Sequence, residues 1–105
     1  MKVNHLHKTP DDLRVKIVAA VWRKGMSCKS LSLSRGLGSS ACGGAFNQSG
    51  CVSGEIALCE FIEISPLVLW PERWENPTPK RGAWLQANRE KLAEWTGNRL
   101  EDVGR

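Results

Sequence analysis

The sequence predicts an all-α protein. Apolar residues recur at helical spacing along most of the 105-residue chain, and no stretch alternates apolar and polar residues as a half-buried strand does. Glycine and proline divide the chain into short segments that begin and end as helices do. We therefore expect one compact helical bundle, followed by a C-terminal helical extension.

The first predicted helix runs from about Pro10 to Lys24. Thr9 is the expected N-cap, Pro10 takes the first helical position, and two acids follow in the first turn. The residues expected on the inner face are Leu13, Ile17, Val18, Val21 and Trp22. Residues 1–9, which contain His5 and His7, are predicted to be a flexible N-terminal segment.

Two further helices are predicted around a glycine-rich stretch. Ser27 caps a short second helix that ends before Gly36, and a third helix runs from Ser39 to Gln48 with Ser39 or Ser40 as its N-cap. The inner face of this third helix holds Cys42, Ala45 and Phe46. A second stripe is polar and nearly without side chains: Ser40, Gly43, Gly44 and Asn47.

The second half of the chain predicts shorter helices and a linker. Ser53 to Glu55 open a fourth helix that buries Leu58, Phe61 and Ile62, while Glu55 and Glu63 stay in water, and Ser65-Pro66 opens a fifth that Pro71 stops. Residues 75–82 carry two prolines and are predicted as a linker between a domain spanning 10–74 and a C-terminal part spanning 83–105. There, a helix from about Ala83 to Trp95 would align Trp84, Leu92 and Trp95, and residues 96–105 would fray.

Charge is distributed unevenly. The net charge is +4, and the region from Leu13 to Gly54 has no Asp or Glu. The cations of this region are Arg14, Lys16, Arg23, Lys24, Lys29 and Arg35. A region of one sign beside an acidic one is typical of a face that binds a polyanion, and the alternative is a solvated surface on which charges segregate by chance.

Other chemistry has little support, so we expect no enzyme, no cofactor and no small-molecule substrate. Gly36 to Ala41 formally matches the dinucleotide pattern G-x-G-x-x-G/A, but no strand precedes it, and no Gly-Lys-Ser/Thr triplet forms a phosphate loop. The cysteines at 28, 42, 51 and 59 form no C-x-x-C pair, which favours reduced core thiols over a metal site. Without a signal peptide or a membrane-spanning run, we expect a cytoplasmic protein that contacts no membrane.

The glycine-rich stretch fits a helix-turn-helix. That motif has a small residue in its first helix, a glycine in the turn four residues later, an apolar residue next, and another apolar residue six positions beyond the glycine. Ser32, Gly36, Leu37 and Cys42 occupy these positions in order. Together with the acid-free region, the pattern predicts a protein that binds double-stranded DNA.

From about Asp12 to Trp74 the chain resembles the Ner-like DNA-binding proteins of Mu-like transposable phages. The resemblance rests on KGMSCKSLSLSRGLGSSACGGAF and on GEIALCEFIEISPLVLWPERW. It implies a fold like a phage-repressor DNA-binding domain, with the helix from Ser39 to Gln48 in the major groove. It also implies a regulator of early or transposition genes in a bacterium or a phage-infected host cell. The chain departs from the family at Arg35, where an apolar residue is usual, and at Trp74, where Tyr is usual.

This docking assigns roles to individual residues. Those expected to face DNA are Ser39, Ser40, Gly43, Gly44 and Asn47. Asn47 would bond an adenine and Lys29 a phosphate, with Arg23, Lys24 and Arg35 as further phosphate contacts. For Trp70 and Trp74 we expect core positions rather than base stacking.

Three functions stay open at this point. The leading hypothesis is a sequence-specific regulator of transcription. The alternatives are a helical module that docks a transposase or polymerase component, and a nonspecific nucleoid-type DNA binder. The sequence also leaves open whether one copy or a homodimer occupies the DNA.

Overall fold

Helices make up the regular structure of the protein. A computed structural model describes residues 8–105, so that His5, His7 and most of the predicted flexible segment lie outside the described residues. Within residues 8–105 there is no strand, which confirms the all-α class. None of the helices in this part of the chain has the length and apolar character needed to cross a membrane.

The helices follow one another with short connections. Their bounds are α1 Asp11–Arg23, α2 Cys28–Ser34, α3 Ala41–Gly44, α4 Val52–Ile62, α5 Pro66–Leu69, α6 Pro71–Trp74, α7 Pro79–Ala87 and α8 Arg89–Trp95. A 3-10 turn over Leu100–Asp102 ends the fold. The core between α1, α2, α4 and the α5–α6 pair buries Ile17, Val21, Leu31, Leu58 and Trp70 almost completely.

The start of α1 differs from the prediction. Pro10 is the N-cap and makes no side-chain capping bond, so the expected cap at Thr9 is wrong. Thr9 is buried instead, and its Oγ1 accepts a hydrogen bond of 2.9 Å from Nε1 of Trp70. A buried indole N–H needs an acceptor, and this need explains the position of the threonine.

The outer face of α1 also contradicts one expectation. Ile17 and Val21 are buried as predicted, but the side chain of Trp22 is 68% exposed and that of Val15 is 57% exposed. Trp22 lies one residue beyond Val21, which rotates it by about 100° to the outer side of the helix. The helix therefore has an apolar outer face that the sequence pattern did not reveal.

The third helix is much shorter than predicted. It spans Ala41–Gly44 rather than Ser39 to Gln48, and the side chain of Ser40 makes no capping bond. Two consecutive glycines lower helix propensity by about 1 kcal/mol each relative to alanine, which explains the early end. The predicted inner face is confirmed, because Cys42, Ala45 and Phe46 are all buried.

Helix α4 carries the largest departure from the predicted burial. Leu58 and Ile62 are buried as expected and Glu63 is exposed, but Glu55 is fully buried rather than solvated. Helical spacing gave no sign that Glu55 is buried, because its partners lie far away in the sequence. The helices α5 and α6 that follow place Trp70 and Trp74 in the core, as predicted, with 1% of each residue exposed.

The C-terminal part is more ordered than the sequence indicates. Helix α7 begins at Pro79, inside the segment 75–82 that was predicted as a linker, and Asn88 separates it from α8. The tail does not fray, because its 3-10 turn packs against α1 and Val103 is 9% exposed. The side chain of Arg23 fastens it by donating to the carbonyl oxygen of Val103 at 2.7 Å.

Candidate nucleic-acid interface

The turn between α2 and α3 has the geometry that the helix-turn-helix pattern requires. Gly36 has a φ of +74°, a left-handed conformation that favours glycine, and Leu37 next to it is half-buried. Ser32 is fully buried and joins the two helices. Its Oγ donates to the carbonyl oxygen of Cys28 at 2.9 Å and accepts from the backbone N–H of Cys42 at 2.9 Å. One hydroxyl thus fixes the start of α3 against α2.

Helix α4 supports α3 from the other side. A Cβ atom on Gly54 would collide with the backbone carbonyl of Ala41, so only glycine permits this approach of the two helices. Cys42 is buried between them. The short third helix is therefore held by two neighbouring helices in addition to its own backbone bonds, such as that from the N–H of Gly44 to the carbonyl oxygen of Ser40 at 2.8 Å.

A buried group of charges lies beneath the residues that follow α3. We call Glu55, Arg73 and Arg81 the ion cluster; the side chain of Arg81 is 5% exposed and the other two are fully buried. Oε1 of Glu55 accepts from Nε of Arg81 at 3.0 Å and from Nε1 of Trp74 at 3.0 Å. Its Oε2 accepts from Nη1 of Arg73 at 3.0 Å, from Nη2 of Arg81 at 2.9 Å and from the N–H of Cys51 at 3.0 Å. Close partners on both oxygens offset part of the desolvation cost of burying an ion pair.

Arg73 connects the ion cluster to the surface. Its Nη1 donates to the carbonyl oxygen of Ala45 at 2.6 Å, and its Nη2 donates to that of Asn47 at 2.7 Å. Gly50, with a φ of +70°, packs so closely on the cluster that a Cβ atom there would collide with the Glu55 carboxylate. The backbone after α3 therefore takes its shape from guanidinium and carboxylate groups below it.

We call residues 39–50 the recognition segment. The structure places four of the five residues predicted to face DNA on an exposed surface of this segment: Ser39, Ser40, Gly43 and Asn47. The fifth, Gly44, is half-buried, and a Cβ atom there would lie 3.5 Å from Cβ of Cys51. A Cβ atom on Gly43 would meet nothing within 4 Å. The surface is therefore open, polar and almost free of long side chains.

The predicted phosphate contacts differ in their surroundings. Lys29 is exposed near the start of α2. Arg35 forms an ion pair with Glu60, and Nζ of Lys24 donates to the carbonyl oxygen of Phe61 at 2.7 Å. Arg23 donates to the C-terminal tail, as described above. Of these four cations, Lys29 is the one without a recorded hydrogen bond or ion pair in the described part of the chain.

The cysteines are free thiols. Burial raises the pKa of Cys59 well above its usual value, with nearby Glu55 and Glu60 adding to the effect. Burial also raises the pKa of Cys28 and of Cys42. Since the thiolate is the form that binds metal and attacks electrophiles, the raised pKa makes Cys28, Cys42 and Cys59 poorer metal ligands and nucleophiles.

Sequence reasoning missed the ion cluster. Glu55 and Arg73 were both part of the stretch GEIALCEFIEISPLVLWPERW, but a buried pair 18 residues apart cannot be inferred from local periodicity. Arg81 lay in the presumed linker and carried no signal of its own. A usable clue was the absence of another acid between Leu13 and Glu60, which left Glu55 as the one carboxylate available near the recognition segment.

The comparisons with known proteins agree with this geometry. Residues 12–86 match the family model described as winged helix-turn-helix DNA-binding. No curated protein and no solved structure is significantly similar to the chain. Because the match covers well over half of the 105 residues, the chain belongs to this family. The match runs through the ion cluster and includes Arg81 on α7. The family name refers to a wing, which is a β-hairpin. Residues 8–105 of this chain contain no strand that could form one.

Proposed function

We propose that this helix-turn-helix protein is a sequence-specific regulator of transcription that lays its recognition segment in the major groove of double-stranded DNA. The observation that carries the proposal is the surface formed by the exposed residues of the recognition segment, among them Ser39, Ser40, Gly43 and Asn47. It is exposed and free of acids, and it projects from a turn with helix-turn-helix geometry. Small polar groups on such a surface bring the backbone close to base edges.

Asn47 is proposed to read a base. Its side chain is exposed while its backbone oxygen is fixed by Arg73, so the amide is presented from an ordered position. An amide of this kind bonds the N6 and N7 atoms of adenine, a contact that discriminates by about 1–3 kcal/mol. Lys29 is proposed to contact a phosphate, which adds affinity without sequence preference.

Fluorescence anisotropy with duplexes selected from a random library tests both roles. Asn47→Ala should relax the preference at one base pair, and Asn76→Ala, at an exposed asparagine outside the segment, serves as the control. Lys29→Ala should weaken binding to all duplexes about equally and reduce the salt slope by about 1, whereas Lys80→Ala should not. Unchanged binding of both variants to every sequence would reject the assignment. A salt slope without any preferred duplex would instead identify a nonspecific nucleoid-type binder.

The resemblance to Ner-like proteins suggests a more specific role. We propose repression of early or transposition genes of a phage or prophage, in the cytoplasm of the bacterial host, by binding and without catalysis. Support comes from the stretch GEIALCEFIEISPLVLWPERW, which forms α4 to α6 and supplies Glu55 and Arg73 to the recognition segment. Transcription from a promoter that carries the selected duplex should fall when the protein is added. A rise would show an activator. Two protomers on a two-fold symmetric site would show a homodimer, and one protomer on a half-site a monomer.

One observation favours the alternative of a protein-docking module. The outer face of α1 exposes Val15 and Trp22 side by side between Arg14 and Arg23, and a contiguous apolar patch bordered by polar residues is typical of a protein-interaction site. A helical segment of a transposase or polymerase component is the partner class proposed for this face. Trp22→Ala should leave DNA binding intact and abolish binding of such a partner. Equal loss of DNA binding would show that the face serves DNA recognition instead.

A further inference from the structure

The ion cluster joins two regions that the sequence separates. Arg81 belongs to α7, in the C-terminal part of the chain, while residues 45–50 belong to the recognition segment. Arg81 grips both oxygens of Glu55, with Nε on Oε1 at 3.0 Å and Nη2 on Oε2 at 2.9 Å. A bidentate pair fixes the plane of the carboxylate as well as its position.

The same carboxylate is one of the groups that hold Arg73 in place. Oε2 accepts from Nη1 of Arg73 at 3.0 Å, and this nitrogen also donates to the carbonyl oxygen of Ala45 at 2.6 Å. The second nitrogen, Nη2, reaches the carbonyl oxygen of Asn47 at 2.7 Å. A planar guanidinium cannot move one nitrogen alone, so a shift of the carboxylate would displace both carbonyl contacts.

The carboxylate also holds the far end of the recognition segment. Oε2 of Glu55 accepts from the N–H of Cys51 at 3.0 Å, and Gly50 lies against the same oxygen. Backbone bonds within the segment also hold the turn, among them the N–H of Asn47 donating to the carbonyl oxygen of Gly44 at 3.1 Å and the N–H of Gly50 donating to that of Asn47 at 2.9 Å. The contacts with Glu55 and Arg73 add to these bonds and fix the turn against the rest of the fold.

We propose that Arg81 is a positioning residue for DNA recognition, so that α7 contributes to the orientation of the recognition segment. By clamping Glu55, it orients Arg73 and the backbone of residues 45–51, and so sets the direction in which Asn47 is presented. The expected effect of Arg81 on DNA binding rests on the proposed function. Its expected effect on the order of the recognition segment in the free protein does not.

Amide hydrogen exchange of the free protein provides the first test. Arg81→Met removes the clamp but keeps an unbranched side chain, and Arg89→Met on the exposed surface of α8 is the matched control. We expect the amides of Gly50 and Cys51 to exchange about 10-fold faster in Arg81→Met relative to the amides of α1, and not in the control. Equal acceleration of both sets would show only lower global stability, and that result would overturn the proposal.

Affinity ratios provide the second test. For the protein and each variant, the measured quantity is the Kd of a scrambled duplex divided by the Kd of the preferred duplex, both at fixed salt. Arg81→Met should lower this ratio about 10-fold, the size expected for loss of one or two base contacts. Arg81→Lys, which keeps the charge but cannot grip both oxygens, should lower it by a smaller factor. Equal weakening on both duplexes would mean that Arg81 contributes only charge and would falsify the positioning role.

The two tests separate failure of this inference from failure of the proposed function. If the unmodified protein has no preferred duplex, the proposed function is wrong, while hydrogen exchange still decides whether Arg81 orders the recognition segment. If Arg81→Met does not fold, Arg81→Lys takes its place in both measurements. An exchange pattern of Arg81→Lys identical to that of the unmodified protein would then reject the need for the bidentate clamp.

Discussion

Helix α2 and the recognition segment are adjacent in the chain but are stabilised in different ways. Helix α2 supplies its own start, because Ser27 and Ser30 form a reciprocal capping box, with the N–H of Ser30 donating to Oγ of Ser27 at 3.0 Å. The recognition segment has no such device, and its four-residue helix begins without a side-chain cap. It depends instead on Ser32, Gly54 and Arg73, which belong to other helices. Contacts on the buried side of the segment thus supplement its own backbone bonds and leave its outer surface open.

The substitution with the largest expected effect on stability removes the carboxylate at the centre of the ion cluster. Glu55→Ala leaves the guanidinium groups of Arg73 and Arg81 buried without their shared acceptor. Breaking a buried pair from one side costs about 3–5 kcal/mol, so we expect a loss of that size in urea denaturation. Glu90→Ala, on the exposed first turn of α8, should change stability by less than about 0.5 kcal/mol. A loss below about 1 kcal/mol for Glu55→Ala would mean that the recognition segment does not need the cluster.

The next test compares two glycines that lie close together in the fold. Gly54→Ala drives a Cβ atom into the carbonyl of Ala41 and should destabilise the protein by about 2–3 kcal/mol, as overpacking does. Gly43→Ala meets nothing within 4 Å and should be neutral or stabilise by up to about 1 kcal/mol, since alanine favours helix. Thermal denaturation of the two variants measures both effects. Similar losses would indicate that helix propensity, not the approach of α4, controls the segment.

Two serine substitutions with smaller expected effects on stability distinguish support of the recognition segment by other helices from capping within α2. Ser32→Ala leaves the N–H of Cys42 buried without its acceptor and should cost about 1–2 kcal/mol. Ser27→Ala removes the cap of α2 and should cost about 1 kcal/mol. Hydrogen exchange distinguishes them, because only Ser32→Ala should accelerate the Cys42 amide beyond the global change. Acceleration of that amide in both variants would show that the two elements unfold as one unit.

The smallest expected effect concerns pH. Burial alone would raise the pKa of Glu60, but hydrogen bonds from Arg35 and Lys91 lower it below its usual value. A lowered native pKa stabilises the fold at neutral pH, and this contribution is lost as the pH falls through the native pKa of Glu60. Because both cations are partly exposed, Glu60→Gln should cost only about 0.5 kcal/mol at pH 7. The difference from the unmodified protein should shrink as the pH falls through the native pKa of Glu60, which lies below its usual value, and a difference that persists in more acidic solution would show a packing effect. Glu94→Gln is the exposed control.

The features that local patterns could predict are those that depend on neighbours in sequence. The helical class, the cap at Ser27, the turn at Gly36 and the inner positions Cys42 and Ala45 all follow from spacing or from local chemistry. The length of α3 could not be predicted from local patterns, because a segment with two adjacent glycines has low helix propensity and its extent depends on tertiary contacts. For the same reason, the positions of Arg23 and Arg35 on the surface did not reveal that they bond to the tail and to Glu60.

The candidate site divides in the same way. Its outward residues were identified from helical spacing, and the structure exposes Ser39, Ser40, Gly43 and Asn47. Its foundation was not identified, because burial of Glu55 depends on Arg73 and Arg81, which are distant in the chain. Which of the exposed residues contact DNA stays a prediction, to be decided by the binding measurements.

The open position at Gly43 has a consequence for how such a protein diversifies. A Cβ atom introduced there meets nothing within 4 Å, so a single codon change can add a new group to the surface proposed to meet DNA without a clash at its point of attachment. The supporting residues underneath would not need to change with it. Related regulators could therefore acquire different target sequences quickly, while the buried scaffold is inherited unchanged.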